Sequence, residues 1–341
     1  MPSIVSRRAA LAALFVVSSS ASAVAQGLDL TINHVGLAIG DVPEVTGLRL
    51  NFRDRNMRRV DGINATIWGP YENSHPGTVR GLALGLPLTG AGNIDGVATG
   101  ILGVGVEHRF RGVGIAPIGL GAGGSLEGIM LGGIGLGAGG EMTGIGIGGI
   151  GVGAGGRMKG IFLGGIGVGT GGDAEGLLIG GIGVGGGGNV RGIAIGGIGV
   201  GGGGSFTGLS IGGIGVGSGG DVTGVSIGGI GVGAGGTLTG LAIGGIGVGA
   251  PTARGVMIGG IATGAQEMHG IMLAGAYNKI DKGSLRGLAV APYNDIRGVQ
   301  HGWAIGVINI ADELDGVQVG LLNIARNNPS GRKVLPIVNW H

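Results

Sequence analysis

The sequence predicts an all-β fold, a glycine-rich parallel β-solenoid with about 16 residues per coil. The glycines that open successive units lie 16 residues apart from Gly112 to Gly240. Apolar residues alternate at period two inside each unit, which is the spacing of a β-strand. Glycine also supplies 92 of the 341 residues and aromatic residues only 3%, so a globular core of large side chains is not available.

Each unit is predicted to contain two short strands and two corners, as residues 208–223 illustrate. Leu209 and Ile211 alternate with small residues, and a second alternating pair follows the glycines at 212–213. The change of parity at this glycine pair indicates a turn or bulge, because glycine tolerates positive φ. A second break in the pattern, at residues 219–223, indicates the other corner.

The alternative fold is an up-and-down β-barrel or meander, in which each unit forms one strand. The charged corner residues favour the solenoid. Stacked coils place Lys159, Glu175 and Arg191 in one column of alternating charge, whereas a meander brings the like charges Lys159 and Arg191 together. A stack of ~14–17 coils, spaced by about 4.8 Å, predicts a rod roughly 70–80 Å long.

The first residues predict export. Arg7 and Arg8 precede a short apolar stretch at 9–17, and small residues lead to an A-x-A-type cleavage site before Gln26. We expect the protein in the periplasm, in the outer membrane or at the cell surface. The predicted organisation is a signal peptide at 1–25, degenerate N-terminal units or a cap at 26–80, the glycine-rich array at 81–286, and C-terminal units with a cap at 287–341.

Charge and cysteine content exclude several classes of protein. Without the predicted signal peptide, which holds two of the 21 basic residues and no acid, 19 basic residues balance 19 acidic ones. This balance argues against a nucleic-acid partner, which usually requires a basic surface. The chain has no Cys, so disulfides do not stabilise it. The cluster Arg53, Arg55, Arg58 and Arg59 is either a solvated turn or a candidate contact with an anionic surface polymer or lipid.

The middle residue of the first strand in each unit is predicted to point away from the coil interior. This column has no charge, although a solvated sheet face normally carries Lys, Glu and Thr. It is either covered by the N-terminal region or a partner solenoid, or exposed for contact with a membrane, a polymer or another protein. On the second strand the outward residues are mostly glycine, as at Gly215 and Gly217, which predicts a flat face. The candidate contact residues are Met130, Phe162, Leu178, Ala194, Ser210, Ser226, Ala242, Met257 and Met272.

No motif predicts catalysis, a cofactor or a metal site. Residues 208–212 and 224–228 match the G-x-S-x-G of a nucleophile elbow, but neighbouring units have Ala or Met in place of the serine. Asp173 and Asp221 follow glycine pairs, as in calcium-binding repeats. Equivalent positions in other units hold residues such as Arg157, so no regular carboxylate cage forms. We therefore expect a non-enzymatic protein without a cofactor.

The C-terminal units differ from the central array. Residues 302–311 and 316–325 carry G-h-x-h-G-h-h-N units, the second with Gln at the third position, and a closing L-P-h-h-N follows at 335–339. Residues 287–341 resemble the leptospiral-type surface-repeat family of exported bacterial proteins, which implies a cell-surface or periplasmic repeat protein without catalytic residues. Asn309 and Asn323 are predicted to cap strands or to form a short asparagine ladder.

The predicted function is that of a structural or adhesive surface protein. Such a protein would bind a cell-surface polymer or membrane, or self-associate, through flat glycine-rich and apolar sheet faces. The alternative function is an outer-membrane barrel with a pore or assembly role.

Overall fold

The computed structural model describes residues 27–71, 74 and 76–341. It is a parallel β-solenoid of about 17 coils with roughly 16 residues per coil, which confirms the predicted fold. Coils pair in parallel at the predicted spacing, with Gly160 beside Gly144 on one side and Gly176 on the other. The antiparallel meander or barrel is therefore wrong for this array. The predicted signal peptide, residues 1–25, lies outside the described residues.

The N-terminal end begins with an antiparallel strand. Its strands are β1 (Gly27–Ile32), β2 (Val35–Gly40), β3 (Glu44–Arg53), β4 (Arg59–Trp68), β5 (Thr78–Gly85), β6 (Leu88–Gly100) and β7 (Gly103–Ala116). β1 pairs antiparallel with β2, and from β2 onward each coil lies parallel on the one before it. The stack of parallel coils therefore starts at β2.

In the central array each coil has one long and one short strand. The strands are β8 (Gly119–Ala122), β9 (Ser125–Gly132), β10 (Gly135–Ala138), β11 (Met142–Gly148), β12 (Gly151–Ala154), β13 (Met158–Gly164), β14 (Gly167–Thr170), β15 (Ala174–Gly180), β16 (Gly183–Gly186), β17 (Val190–Gly196), β18 (Gly199–Gly202), β19 (Phe206–Gly212), β20 (Gly215–Ser218), β21 (Val222–Gly228), β22 (Gly231–Ala234) and β23 (Thr237–Gly244). Within this array, long strands pair with long strands and short strands with short ones. The two strands and two corners predicted for each unit are confirmed.

The C-terminal coils have longer strands and an antiparallel end. They are β24 (Gly247–Gly259), β25 (Ala262–Ala274), β26 (Tyr277–Val290), β27 (Tyr293–Ile305), β28 (Ile308–Ala325) and β29 (Val334–Trp340). β24 to β28 stack in parallel, and β29 pairs antiparallel with β28. With coils about 4.8 Å apart, the whole stack is roughly 80 Å long.

The glycine that opens each unit is required by the backbone. We number the positions of a unit from this glycine, so that Gly208 is position 1 and Thr223 is position 16. Gly208 has φ of 127°, a conformation that residues with a side chain rarely adopt. A Cβ at Gly208 would also lie 2.0 Å from the carbonyl oxygen of Gly192, one coil earlier. The same clash recurs at each position-1 glycine from Gly47 to Gly316, so this column fixes the stacking of the coils.

The interior of the central coils is filled by the side chains at positions 3, 9, 11 and 15. Their sizes compensate one another between coils. A Cβ at Gly146 would lie 2.9 Å from the ring of Phe162, the position-3 residue of the next coil. Gly114 is likewise next to Phe110 and Met130. Close packing of this kind explains why an interior column varies from glycine to phenylalanine along the rod.

A ladder of buried asparagines continues the position-9 column of the central array into the C-terminal coils. The side-chain amide nitrogen of Asn278 donates to the amide oxygen of Asn294 at 2.9 Å, Asn294 to Asn309 at 2.7 Å, and Asn309 to Asn323 at 2.8 Å. The hydroxyl of Thr263 donates to Asn278 at the start of the ladder. The ladder predicted for Asn309 and Asn323 is confirmed, and it extends two coils further towards the array.

A buried ionic cluster occupies the interior near the N-terminal end. The fully buried Arg49, at position 3 of its coil, donates from its guanidinium to the carboxylates of Asp41 and Asp54 and to the amide oxygen of Asn64. Its Nε donates to the carbonyl oxygen of Val42 at 2.9 Å. Each charged group is thus paired, which is the condition for burying charge without a large penalty.

Candidate functional site

The contact strip predicted from the sequence lies inside the coil. Its members are buried, with exposed fractions of 1% or less: Met130, Phe162, Leu178, Ala194, Ser210, Ser226, Ala242, Met257 and Met272. The prediction that position 3 faces outward is wrong. This column carries no charge because it is the core, where an unpaired charge would be costly to bury.

The exposed apolar residues are instead at positions 2, 4 and 7. In the ten coils opened by Gly112 to Gly255, all of these positions hold Ile, Leu or Val. We call these side chains the aliphatic face. They are, at position 2, Val113, Ile129, Ile145, Ile161, Leu177, Ile193, Leu209, Val225, Leu241 and Val256; at position 4, Ile115, Leu131, Ile147, Leu163, Ile179, Ile195, Ile211, Ile227, Ile243 and Ile258; and at position 7, Ile118, Ile134, Ile150, Ile166, Ile182, Ile198, Ile214, Ile230, Ile246 and Ile261.

Position 7 forms the most exposed column of the aliphatic face. Its ten isoleucines are each between 46% and 52% exposed. The backbone N–H of Ile166 donates to the carbonyl oxygen of Ile150 at 2.6 Å, and Ile182 donates to Ile166 at 2.7 Å. These bonds hold successive isoleucines one coil apart. The result is a straight, regular ridge of half-exposed side chains.

A flat glycine face borders this ridge. Its residues are the outward glycines at positions 8 and 10 of ten coils, from Gly103 to Gly249. A Cβ at Gly217 would meet nothing within 4 Å, and one at Gly215 would come no closer than 3.5 Å to its nearest neighbour. The fold therefore tolerates a side chain at Gly215 and at Gly217. Glycine inside a strand is destabilising by roughly 0.5–1 kcal/mol relative to alanine, so its presence here has a cause other than the fold.

Two stacked tyrosines mark the C-terminal end of the glycine face. Tyr277 and Tyr293 continue the position-8 column, with ring centroids 5.3 Å apart and planes inclined by 15°. The hydroxyl of Tyr277 donates to Asp295 at 3.1 Å. Burial, together with the nearby charge of Asp295, raises the pKa of Tyr277 to about 12. The two rings replace the flat surface with bulky side chains.

The four arginines of the predicted cluster have two sets of partners. The guanidinium of Arg53 lies 4.1 Å from the ring centroid of Tyr71, and that of Arg55 lies 4.5 Å from it. Arg58 instead forms an ion pair with Glu44 of the neighbouring strand β3, and Arg59 forms one with Asp61 of its own strand β4. The hydrogen bond from Arg59 lowers the pKa of Asp61. Arg53 and Arg55 therefore share one site, Arg58 and Arg59 are each paired with a carboxylate, and the contact of this cluster with an anionic polymer or lipid stays a prediction.

The corner column at position 14 bonds each coil to the next. The carboxylate of Asp173 accepts the backbone N–H of Asn189 at 2.7 Å, and the side-chain oxygen of Asn189 accepts that of Ser205 at 2.9 Å. Asp221 accepts the backbone N–H of Thr237 at 2.6 Å in the same way. The two aspartates that suggested calcium repeats therefore act as acceptors for the backbone. Within the part of the chain that the structure describes, no group of three or more His, Cys, Asp or Glu residues is arranged to hold a metal ion.

The charged corner column at position 16 has the predicted register. Lys159 lies opposite Glu175, which lies opposite Arg191 in the next coil. Lys159 and Glu175 form an ion pair with an N–O distance of 3.4 Å, and both side chains are more than half exposed. Such a pair contributes at most about 1 kcal/mol. The alternating charges of this column therefore indicate the register of the coils but add little to their stability.

The serines of the two G-x-S-x-G matches lie in the core. Ser210 and Ser226 are buried, and their hydroxyl oxygens are 2.7 Å apart in a hydrogen bond between adjacent coils. One hydroxyl donates to the other, so neither is buried without a hydrogen-bond partner. Neither serine is on a surface that a substrate could reach.

The structure also contains no helical element suited to a bilayer. Among residues 27–71, 74 and 76–341, no helix has the length and apolarity needed to cross a membrane.

Comparisons with known proteins do not assign this chain to a family. No protein-family model, no curated protein and no solved structure matches it. The resemblance of residues 287–341 to the leptospiral-type surface-repeat family therefore stays a prediction.

Proposed function

We propose that this chain is a non-enzymatic, exported structural or adhesive cell-surface protein that makes contact through its aliphatic and glycine faces. The observation that carries this proposal is the aliphatic face itself. It runs over ten consecutive coils without a single charged or polar side chain. At about 4.8 Å per coil, this corresponds to a surface nearly 50 Å long.

The area of the aliphatic face exceeds what a free surface normally exposes. The ten isoleucines of position 7 are each about half exposed. At about 80 Å² each, they expose on the order of 800 Å² before positions 2 and 4 are added. The largest apolar patch of an ordinary monomer is about 300–600 Å², and larger patches mark interaction sites. One standard protein interface uses about 800 Å² per partner.

The glycine face supports the same function. The fold does not require glycine at Gly215 or Gly217, so the repetition of glycine at these two positions along ten coils favours close approach of another surface. A backbone without side chains allows a partner to reach its peptide groups directly. The aliphatic face and the glycine face meet along the position-7 ridge, so one partner can touch both.

The rest of the molecule suits a rigid scaffold. Backbone hydrogen bonds join each coil to the next, and buried ladders fill the interior. Each coil contacts only its neighbours, so the array acts as a rod whose side faces repeat at a fixed interval. The exposed side chains of such a rod add little to its stability and are free to serve contact.

Expression of the full chain, followed by cell fractionation, tests location and contact together. We expect an N-terminus processed near residue 26, protease accessibility on intact cells or in the periplasm, and retention of the protein on the cell envelope. Replacing Ile150, Ile182 and Ile214 by Lys is expected to release most of the retained protein, because each charge would have to be buried in the contact.

The matched control places three lysines at Thr143, Thr207 and Thr223. These are corner residues of position 16, where Lys159 shows that the fold accepts lysine. The control protein is expected to stay on the envelope. Cytoplasmic protein with an unprocessed N-terminus, or equal retention of the isoleucine variant and wild type, would contradict the proposal.

A further inference from the structure

We infer that the partner on the aliphatic face is a second copy of this chain, packed side by side with the first. This inference rests on the proposed function, because it names the partner that the contact face takes. The arguments concern the spacing, the extent and the charge of the face.

The spacing of the aliphatic face matches that of another copy. Positions 2, 4 and 7 repeat once per coil, and the bonds from Ile166 to Ile150 and from Ile182 to Ile166 fix that repeat. Rows of branched side chains with one interval leave grooves with the same interval. A second solenoid offers ridges at this interval over the same ten coils, so ridges fit grooves along the whole contact. A partner of unrelated fold matches such a repeat at only a few points.

The extent of the face is sufficient for a stable dimer. The position-7 isoleucines alone provide an area comparable to one side of a standard interface, about 800 Å². Positions 2 and 4 enlarge it towards the size typical of obligate homodimers, whose interfaces are also the most apolar. A face-to-face pair related by a twofold axis would use the same patch on both copies.

The charge distribution favours a second copy over a lipid surface. The face itself is uncharged, so two copies meet without opposing like charges. Interfacial membrane segments usually combine an apolar face with Lys or Arg and with aromatic residues that sit at the headgroups. Here the bordering corner at position 16 holds Thr143, Thr207, Thr223 and Thr239, with charges of both signs elsewhere, and the other border is glycine.

Sedimentation velocity of the purified protein over a concentration series tests the inference. Wild type is expected at twice the chain mass. The variant with Lys at Ile166, Ile182 and Ile198 is expected to sediment as a monomer, with self-association at least ~100-fold weaker because the interface would bury unpaired charges. The matched control has Lys at Thr143, Thr207 and Thr223, which lie at position 16, outside the aliphatic and glycine faces. Lys159 occupies this position in the wild-type chain, so this control is expected to fold and to dimerise.

Far-UV circular dichroism spectra and thermal midpoints that agree between the three proteins establish that the variants are folded. If the isoleucine set impairs folding, serine at the same three positions is used, with the same expected loss of the dimer. Wild type that is monomeric yet binds neutral phosphatidylcholine vesicles overturns the second-copy inference and leaves the proposed function standing. Wild type that is monomeric and binds neither vesicles nor envelope overturns both. A dimer that survives substitution of the isoleucines overturns the assignment to this face.

Discussion

Two glycines of a single coil should respond in opposite ways to alanine. Gly208 and Gly217 both lie in the unit at 208–223, at positions 1 and 10. Gly208 has φ of 127°, and its Cβ would lie 2.0 Å from a backbone oxygen of the coil beneath it. A Cβ at Gly217 would meet nothing within 4 Å. We therefore expect Gly208→Ala to be destabilising and Gly217→Ala to be neutral or slightly stabilising.

The magnitudes follow from these geometries. Holding alanine at positive φ costs about 1–3 kcal/mol. Forcing a methyl group into the stacked backbone adds about 1–3 kcal/mol, since it must separate two coils. A total near 3 kcal/mol is the expected loss for Gly208→Ala. Gly217→Ala reduces the entropy of the unfolded chain and is expected to add about 0.4–1 kcal/mol of stability.

Thermal unfolding followed by circular dichroism measures both effects. An unfolding entropy of about 2.1 cal/mol/K per residue gives roughly 0.65 kcal/mol/K for the solenoid. The expected change in melting temperature is then a fall of about 5 °C for Gly208→Ala and a rise of about 1 °C for Gly217→Ala. Since repeat arrays can unfold in parts, amide exchange in the flanking coils should accompany the melting curves. Equal losses at both sites would refute the reasoning that separates structural from free glycines.

Three further perturbations test the buried networks and the tyrosine pair. Asn294→Ala removes two hydrogen bonds of the asparagine ladder and leaves the neighbouring side-chain amides unsatisfied. We expect the free energy of unfolding to fall by about 2–3 kcal/mol, seen as faster amide exchange across residues 277–325. Unchanged exchange there would show that the ladder adds no stability. Arg49→Met leaves the buried carboxylate of Asp54 without its guanidinium partner. We expect the free energy of unfolding, measured in urea, to fall by about 3–5 kcal/mol. A decrease below ~1 kcal/mol would mean that the ionic cluster is not needed for stability. The pKa of Tyr277 is raised from 10.0 to about 12, so its contribution to stability is complete below pH 10 and is lost as the pH rises through about 12. Unfolding measured from pH 9 to 12 should therefore show a steeper alkaline loss for wild type than for Tyr277→Phe, and identical slopes would contradict the shift.

The repeat could be predicted from the sequence because backbone geometry imposes it. Each position-1 glycine is needed for both its φ and its contact with the glycine below, so the 16-residue spacing from Gly112 to Gly240 records the coil length directly. The alternating charges of Lys159, Glu175 and Arg191 indicated in addition that adjacent coils stack in parallel. Neither signal depends on which side chains point inward.

The direction of the side chains was predicted wrongly, although the sequence held the information. Lys159, Ile161 and Leu163 are two residues apart, so on one strand they share a side, and a half-exposed lysine places that side outside. Met158 and Phe162 must then point inward. The prediction instead took the most regular aliphatic columns as the core. In this rod the core columns at positions 3 and 15 vary in size from coil to coil, because large and small residues compensate, whereas the outer columns at positions 2, 4 and 7 hold only Ile, Leu or Val.

The networks at the two ends were only partly predictable. Asn309 and Asn323 occupy equivalent places in similar units, so their ladder followed from the repeat. Arg49 gave no such signal, because its partners Asp41 and Asp54 come from irregular segments outside the repeat. Spacing alone carries no information about such contacts. The partners of the arginine cluster, Tyr71, Glu44 and Asp61, could not be predicted from spacing for the same reason.

Some positions of each coil are determined by the fold, and others are not. Stacking fixes the glycines of position 1, and filling the interior fixes positions 3, 9, 11 and 15, while positions 2, 4, 7, 8 and 10 are left open by both requirements. An unconstrained outward position on a solvated sheet would drift towards polar residues of varied kind. Here positions 2, 4 and 7 hold only Ile, Leu or Val, and positions 8 and 10 hold only glycine, over successive coils. Because the fold does not impose this pattern, the pattern supports the proposal that a partner with the same regular interval packs on these faces.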